Sequence, residues 1–140
     1  MKVLLNTITA LIFLLVLNFS TFAQNKKFDG NWSFEETRNG HYSSLSVNIN
    51  QVGNQLEGDY GNVSSKESNG KILRAKITGN TAMIEIDCDW GGRGTVKITR
   101  LNGNRLHWQV IKRDESKGAF IVLTEQILKK SSMNQVANKR

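Results

Sequence analysis

The stretch that most constrains this chain runs from Thr81 to Ile111, where apolar and polar residues alternate in three runs. Ala82, Ile84, Ile86, Cys88 and Trp90 share one parity of the first run, Val96 and Ile98 of the second, and Leu106, Trp108 and Val110 of the third. A period of two marks strands with one buried face, so the stretch predicts a β-meander. A slip of one residue would turn the apolar set outward, and each connecting loop must therefore hold an odd number of residues. Gly92-Arg93-Gly94 and Asn102-Gly103-Asn104 fit as three-residue loops, with Gly94 or Asn104 in the left-handed conformation that closes a bulged hairpin. This register puts Cys88 and Trp108 opposite Ile98, and aligns Asp89, Lys97 and Gln109 on the wet face.

The same grammar extends in both directions. Gly30 to Glu36 reads as a first strand with Trp32 and Phe34 on one face, and Asn39-Gly40 is a strong hairpin signal. Tyr42 to Gln51 alternates Leu45, Val47 and Ile49 against polar residues; Gly53-Asn54 turns the chain into Gln55 to Gly61, with Leu56, Gly58 and Tyr60 on one face. Asn62 to Gly70 is polar and without strand pattern, which predicts a loop at a barrel mouth. Lys71 to Thr78 places Leu73, Ala75 and Ile77 inside. After the meander, Arg113 to Gly118 reads as a charged turn and Ala119 to Leu123 as the last strand, with Phe120 and Val122 inward; Thr124 to Lys130 either extends it or forms a short closing helix.

The expected fold is all-β: eight antiparallel strands in an up-and-down meander closed as a small soluble barrel, since closure removes the unpaired edges of a one-faced meander. A membrane barrel needs the reverse pattern, apolar outside. Here the parity opposite the apolar set carries Glu85, Asp87, Asp89, Lys97 and Gln109.

Upstream, Met1-Lys2, an apolar run from Val3 to Asn18 and small residues at Thr21 and Ala23 predict a signal peptide over 1–23. The expected mature chain is one domain over 24–130 with a frayed tail over 131–140, secreted or periplasmic, with no membrane span once the signal is removed. Cys88 is the only cysteine, so no internal disulfide forms despite export. The net charge of +7 is not carried by the body: from Phe28 to Leu128 twelve Lys and Arg balance twelve Asp and Glu, and the excess lies at Lys2, Lys26, Lys27, Lys129, Lys130, Lys139 and Arg140. Nucleic acid needs a basic face clustered on the folded body, so it is not an expected partner.

Phe28-Asp29-Gly30-Asn31-Trp32 resembles the Gly-x-Trp entry to strand one shared by lipocalins and avidin-type barrels, and Asn54 to Tyr60 is similar to the avidin-like Gly-x-Tyr third strand. The resemblance covers about the first forty residues of the mature chain. The chain departs from it in lacking the lipocalin disulfides, a clear helix and the polar set with which avidins hold biotin. What the resemblance implies is a calycin-type barrel and a capacity for ligands in its mouth.

The residues themselves point away from catalysis. No Gly-x-Ser-x-Gly is present, neither His41 nor His107 has an evident partner, and no Cys/His spacing supplies the three convergent ligands a metal needs. The carboxylates Glu85, Asp87 and Asp89 stand about 7 Å apart along a strand, too far to share one ion. No cofactor is expected. An eight-stranded barrel is either filled by side chains or holds one small ligand. If hollow, Trp32, Tyr60, Trp90 and Trp108 line the cavity, with Arg100 and Glu36 as polar anchors on the inward parity near strand ends. Two functions follow: binding of a small hydrophobic or amphipathic ligand in the mouth, or binding of an exported protein, such as a hydrolase to be inhibited, through the loops Asn62 to Gly70, Gly91 to Gly94 and Asp114 to Gly118.

Overall fold

A computed structural model describes residues 26–132; the expected signal peptide and all but the first two residues of the expected tail lie outside the described residues. Eight strands follow one another: β1 Gly30–Arg38, β2 His41–Val52, β3 Gln55–Val63, β4 Glu67–Thr78, β5 Thr81–Asp87, β6 Arg93–Leu101, β7 Arg105–Asp114 and β8 Glu125–Lys130. Each pairs with the next, and β8 pairs antiparallel with β1, so the sheet closes as a barrel in chain order. Among the described residues no helix is long and apolar enough to cross a membrane.

Local turn chemistry sets much of this. Asn39 and Gly40, at φ 51° and 77°, form a two-residue hairpin between Arg38 and His41, the conformation that asparagine and glycine tolerate best. Asn102-Gly103-Asn104 is a three-residue loop with Asn104 at φ 54°, which leaves Trp108 opposite Ile98 and His107 opposite Thr99. Eighteen buried apolar residues form one cluster inside the barrel. Within it Tyr60 and Trp108 pack with ring centroids 6.2 Å apart.

Four expectations are corrected. First, the β5–β6 loop is five residues, Cys88 to Gly92, because Asp87 pairs with Arg93. Cys88 N–H donates to the Gly92 carbonyl at 3.0 Å and Gly91 N–H to the Cys88 carbonyl at 2.8 Å, closing the turn early. Ile98 therefore faces Ala82 and Lys97 faces Met83, rather than Cys88 and Asp89. Trp90 leaves the inward parity and stands at the turn, 46% exposed. Gly92 and Gly94 are small for another reason: a Cβ on Gly92 would meet the Ala119 carbonyl oxygen at 2.6 Å, and one on Gly94 the Phe120 ring at 2.3 Å.

Second, Asn62 to Gly70 is mostly strand, with β3 reaching Val63 and β4 starting at Glu67. Its polarity misleads because Asn62 and Ser68 point into the barrel, buried, and bond to backbone there. Third, a bulge between Ile72 and Arg74 reverses the parity of β4, so Ile72 packs on the core and Leu73 lies outside.

Fourth, Ala119 to Leu123 is not a strand of the sheet, and β8 is the following segment, which adopts neither a helix nor an extension of an earlier strand. Residues 115–124 instead fold across one barrel end as a plug. Phe120 and Val122 are buried, as their parity suggested, but they fill the mouth. The plug backbone is held from inside: Asn62 Nδ2 and Ser68 Oγ donate to the Ile121 carbonyl, Leu123 N–H donates to Asn62 Oδ1 at 3.0 Å, and Trp108 Nε1–H donates to the Leu123 carbonyl at 3.1 Å. Asn62→Leu is expected to strand the half-buried Leu123 N–H, at a cost of about 1 kcal/mol, the low end for an unsatisfied donor. Limited proteolysis should then cut within 115–124 ahead of the strands; cleavage at the wild-type rate would mean Asn62 does not hold the plug.

Candidate functional site

An up-and-down barrel of eight strands sorts its connections by end. The hairpins at 39–40, 64–66 and 88–92 share one end with the plug; those at 53–54, 79–80 and 102–104 share the other with the entering and leaving chain. The residues proposed from sequence divide between these ends and the interior.

Tyr60 and Trp108 are interior. Tyr60 Oη donates to the Asp87 carbonyl at 2.7 Å, and burial, followed by the adjacent Cys88 thiol, pushes the phenol far above its usual range. It is a fixed neutral donor at any ordinary pH. Trp32 is buried as well, with Nε1–H donated to the Phe28 carbonyl at 2.8 Å; Phe28 corks the end opposite the plug, its own N–H donated to the buried Gln51 Oε1 at 3.1 Å. Every buried side-chain polar atom among the described residues has a partner. The interior thus spends its polar groups on itself.

Arg100 belongs with Trp32. Its guanidinium lies 4.9 Å from the ring centre, tied by Nη1 to the Leu101 and Arg105 carbonyls and by Nη2 to Asn104 Oδ1, while Lys130 Nζ lies 5.5 Å from the same ring. Glu36, expected inward, is exposed: β1 has passed the rim by then, and its carboxylate sits 4.0 Å from Arg38.

Trp90 stands apart at the plug end, in a platform assembled from three segments. Its Nε1–H donates to the Glu67 carbonyl at 2.9 Å and Lys66 Nζ lies 4.8 Å over its ring. Asp89 N–H donates to the Asn69 carbonyl at 2.9 Å, and Gly91 bridges to Ala119 of the plug. A Cβ on Gly118 would meet the Trp90 carbonyl oxygen at 2.1 Å, so the plug and the Trp90 turn pack backbone to backbone. Beside them Asp114 accepts from Ser116 N–H and Oγ, which holds its carboxyl below the usual range.

Sequence reasoning missed that Asn62 and Ser68 are inward; the place of Asn62 on the β3 parity of Leu56 and Tyr60 was an available signal, whereas Ser68 had none, because the bulge between Ile72 and Arg74 reverses the parity that Ala75 and Ile77 set for β4. The outer wall is a field of weak pairs, Arg74 with Glu85 at 3.7 Å and His107 with Glu125 at 2.8 Å. Among the described residues no group of three or more His, Cys, Asp or Glu side chains is placed to hold a metal ion. Compared with known proteins, the chain matches no family model, no curated protein and no solved structure.

Proposed function

We propose that this protein is an exported, non-catalytic barrel that binds a protein partner through the plug end, with Trp90 as the anchor. The observation that supports this reading is the union of the three segments 66–69, 89–92 and 117–119 around one exposed tryptophan. An indole held by a hydrogen bond loses little freedom on binding, and tryptophan leads the residues that dominate interface energies. The rim around it carries both signs, Lys66, Glu67, Asp89 and Lys117, so shape and apolar contact, rather than net charge, select the partner. A small apolar ligand along the barrel axis would have to displace Phe120 and Val122, and the loops are therefore the better-supported place of contact.

Trp90→Ala is expected to leave folding intact, because the side chain is half outside, and to weaken partner binding by about 2 kcal/mol or more, some thirtyfold. The measurement is capture of exported proteins from the host by the immobilised wild type and variant, followed by affinity determination on any protein retained. A partner held equally well by both would remove Trp90 from the interface; retention of none would remove the reading.

A further inference from the structure

The end opposite the plug has a different character. Because β8 closes onto β1, the two flanks of the domain meet there, and lysines that are a hundred residues apart in sequence become neighbours. Lys26, Lys27, Arg100 and Lys130 line one open cleft of about 510 Å³ together with Asn80, Asn102 and Asn104. Among the described residues no carboxylate lines it. Among the described residues the ion pairs of Glu36 with Arg38 and Arg74 with Glu85, and the His107–Glu125 contact, all lie elsewhere. By contrast, a smaller groove on the outer wall, about 200 Å³, mixes Glu85 and Asp114 with Arg93 and Lys112 and has no net sign.

The cations are held rather than scattered. Arg100 is pinned by three acceptors and laid on Trp32; Lys27 Nζ donates to Asn80 Oδ1 at 2.9 Å, and Lys130 lies against the same indole. Four like charges around one cleft repel one another, and nothing in the lining compensates them. An anion entering the cleft relieves that repulsion, and one bearing a single charge relieves little of it. Asparagine amides at the rim add neutral donors suited to phosphoryl oxygens, and Arg100, three of whose five N–H groups are already donated within the protein, adds a fixed positive charge.

We propose that this cleft binds a multiply charged phosphoryl group, either a free phosphate compound or the phosphate headgroup of a lipid. The site is distinct from the Trp90 platform and does not rest on the partner-binding reading.

Titration of the exported chain with inorganic pyrophosphate at low ionic strength tests it, with citrate as a carboxylate of comparable charge. Saturable binding of pyrophosphate is expected, weakened at least tenfold by Lys26→Gln with Lys130→Gln. Both side chains are exposed and glutamine keeps most of the Lys130 stem that lies against Trp32, so these changes leave the fold in place, whereas Arg100→Ala would strip the Trp32 ring of its cover. Lys66→Gln with Lys117→Gln, at the plug end, should bind as the wild type does. Because the cleft is open, affinity should fall steeply with salt on the scale of a Debye length of about 10 Å at 0.1 M. Sedimentation with vesicles of phosphatidylcholine containing or lacking phosphatidic acid separates the sources: cosedimentation only with phosphatidic acid, lost in the same double variant, assigns the headgroup, and pyrophosphate binding without cosedimentation assigns a free compound. Binding unchanged in Lys26→Gln with Lys130→Gln, equal weakening by the plug-end pair, equal affinity for citrate, or no binding of either phosphate form would each overturn the proposal.

Discussion

Trp108→Ala is expected to lower stability by about 3–5 kcal/mol, the range for deleting a fully buried tryptophan from a core that cannot collapse around the gap. The side chain has no exposed surface, faces Ile98 across the sheet, meets Tyr60 at 6.2 Å and donates its indole N–H to the plug at Leu123. The substitution therefore opens a void and also leaves the Leu123 carbonyl without its donor, which adds about 1 kcal/mol. Against a total stability of about 5–15 kcal/mol for a domain of this kind, the variant should be marginal. Urea unfolding should show the midpoint falling with the slope unchanged. A loss below about 2 kcal/mol, less than the low end for such deletions, would mean that the interior is loosely packed at Trp108, and would return attention to a ligand held there.

The second large effect is expected from the smallest change, Gly70→Ala. A Cβ at Gly70 would fall 2.0 Å from the Asp87 carbonyl oxygen and 2.5 Å from the Tyr60 ring. Tyr60 covers the glycine and reaches past it to donate to that same carbonyl, while Lys71 N–H takes the Asp87 carboxylate. The methyl group therefore cannot be accommodated by rotating a flexible side chain. It must part β4 from β5 or expel the Tyr60 ring, and either costs at least about 3 kcal/mol, the upper end of ordinary overpacking. Thermal unfolding is the direct check, and Gly79→Ala is the useful comparison. Gly79 has positive φ but no atom within 4 Å of its Cβ position, so its cost is backbone strain alone, about 1 kcal/mol. If the two variants melt together, the tight approach at Gly70 is not what the packing requires.

These two sites also show where reading the sequence succeeds. Trp108 was placed inside, opposite Ile98, by alternation and the Asn102-Gly103-Asn104 loop alone, and both features are local. Gly70 carried no such signal, since its reason for being glycine is a carbonyl seventeen residues away on another strand.

The sequence by itself determined the all-β class, the number of strands, the order of pairing, most hairpins and the closure of a meander whose single apolar face has to be hidden. Those follow from side-chain parity and from residues that tolerate positive φ, interactions that span a few positions. Only the tertiary structure decided the rest. A bulge at Ile72 and Arg74 turned Leu73 outward; the Ala119 to Leu123 run, strand-like in its own pattern, became a plug because Asn62, Ser68 and Trp108 offered its backbone better partners than a strand edge; and an early turn put Trp90 on the surface. The basic cleft is the clearest case. Its lysines come from the two flanks and become one site only because the strand that pairs with the first is Glu125–Lys130, a segment that the local pattern did not single out as the closing strand.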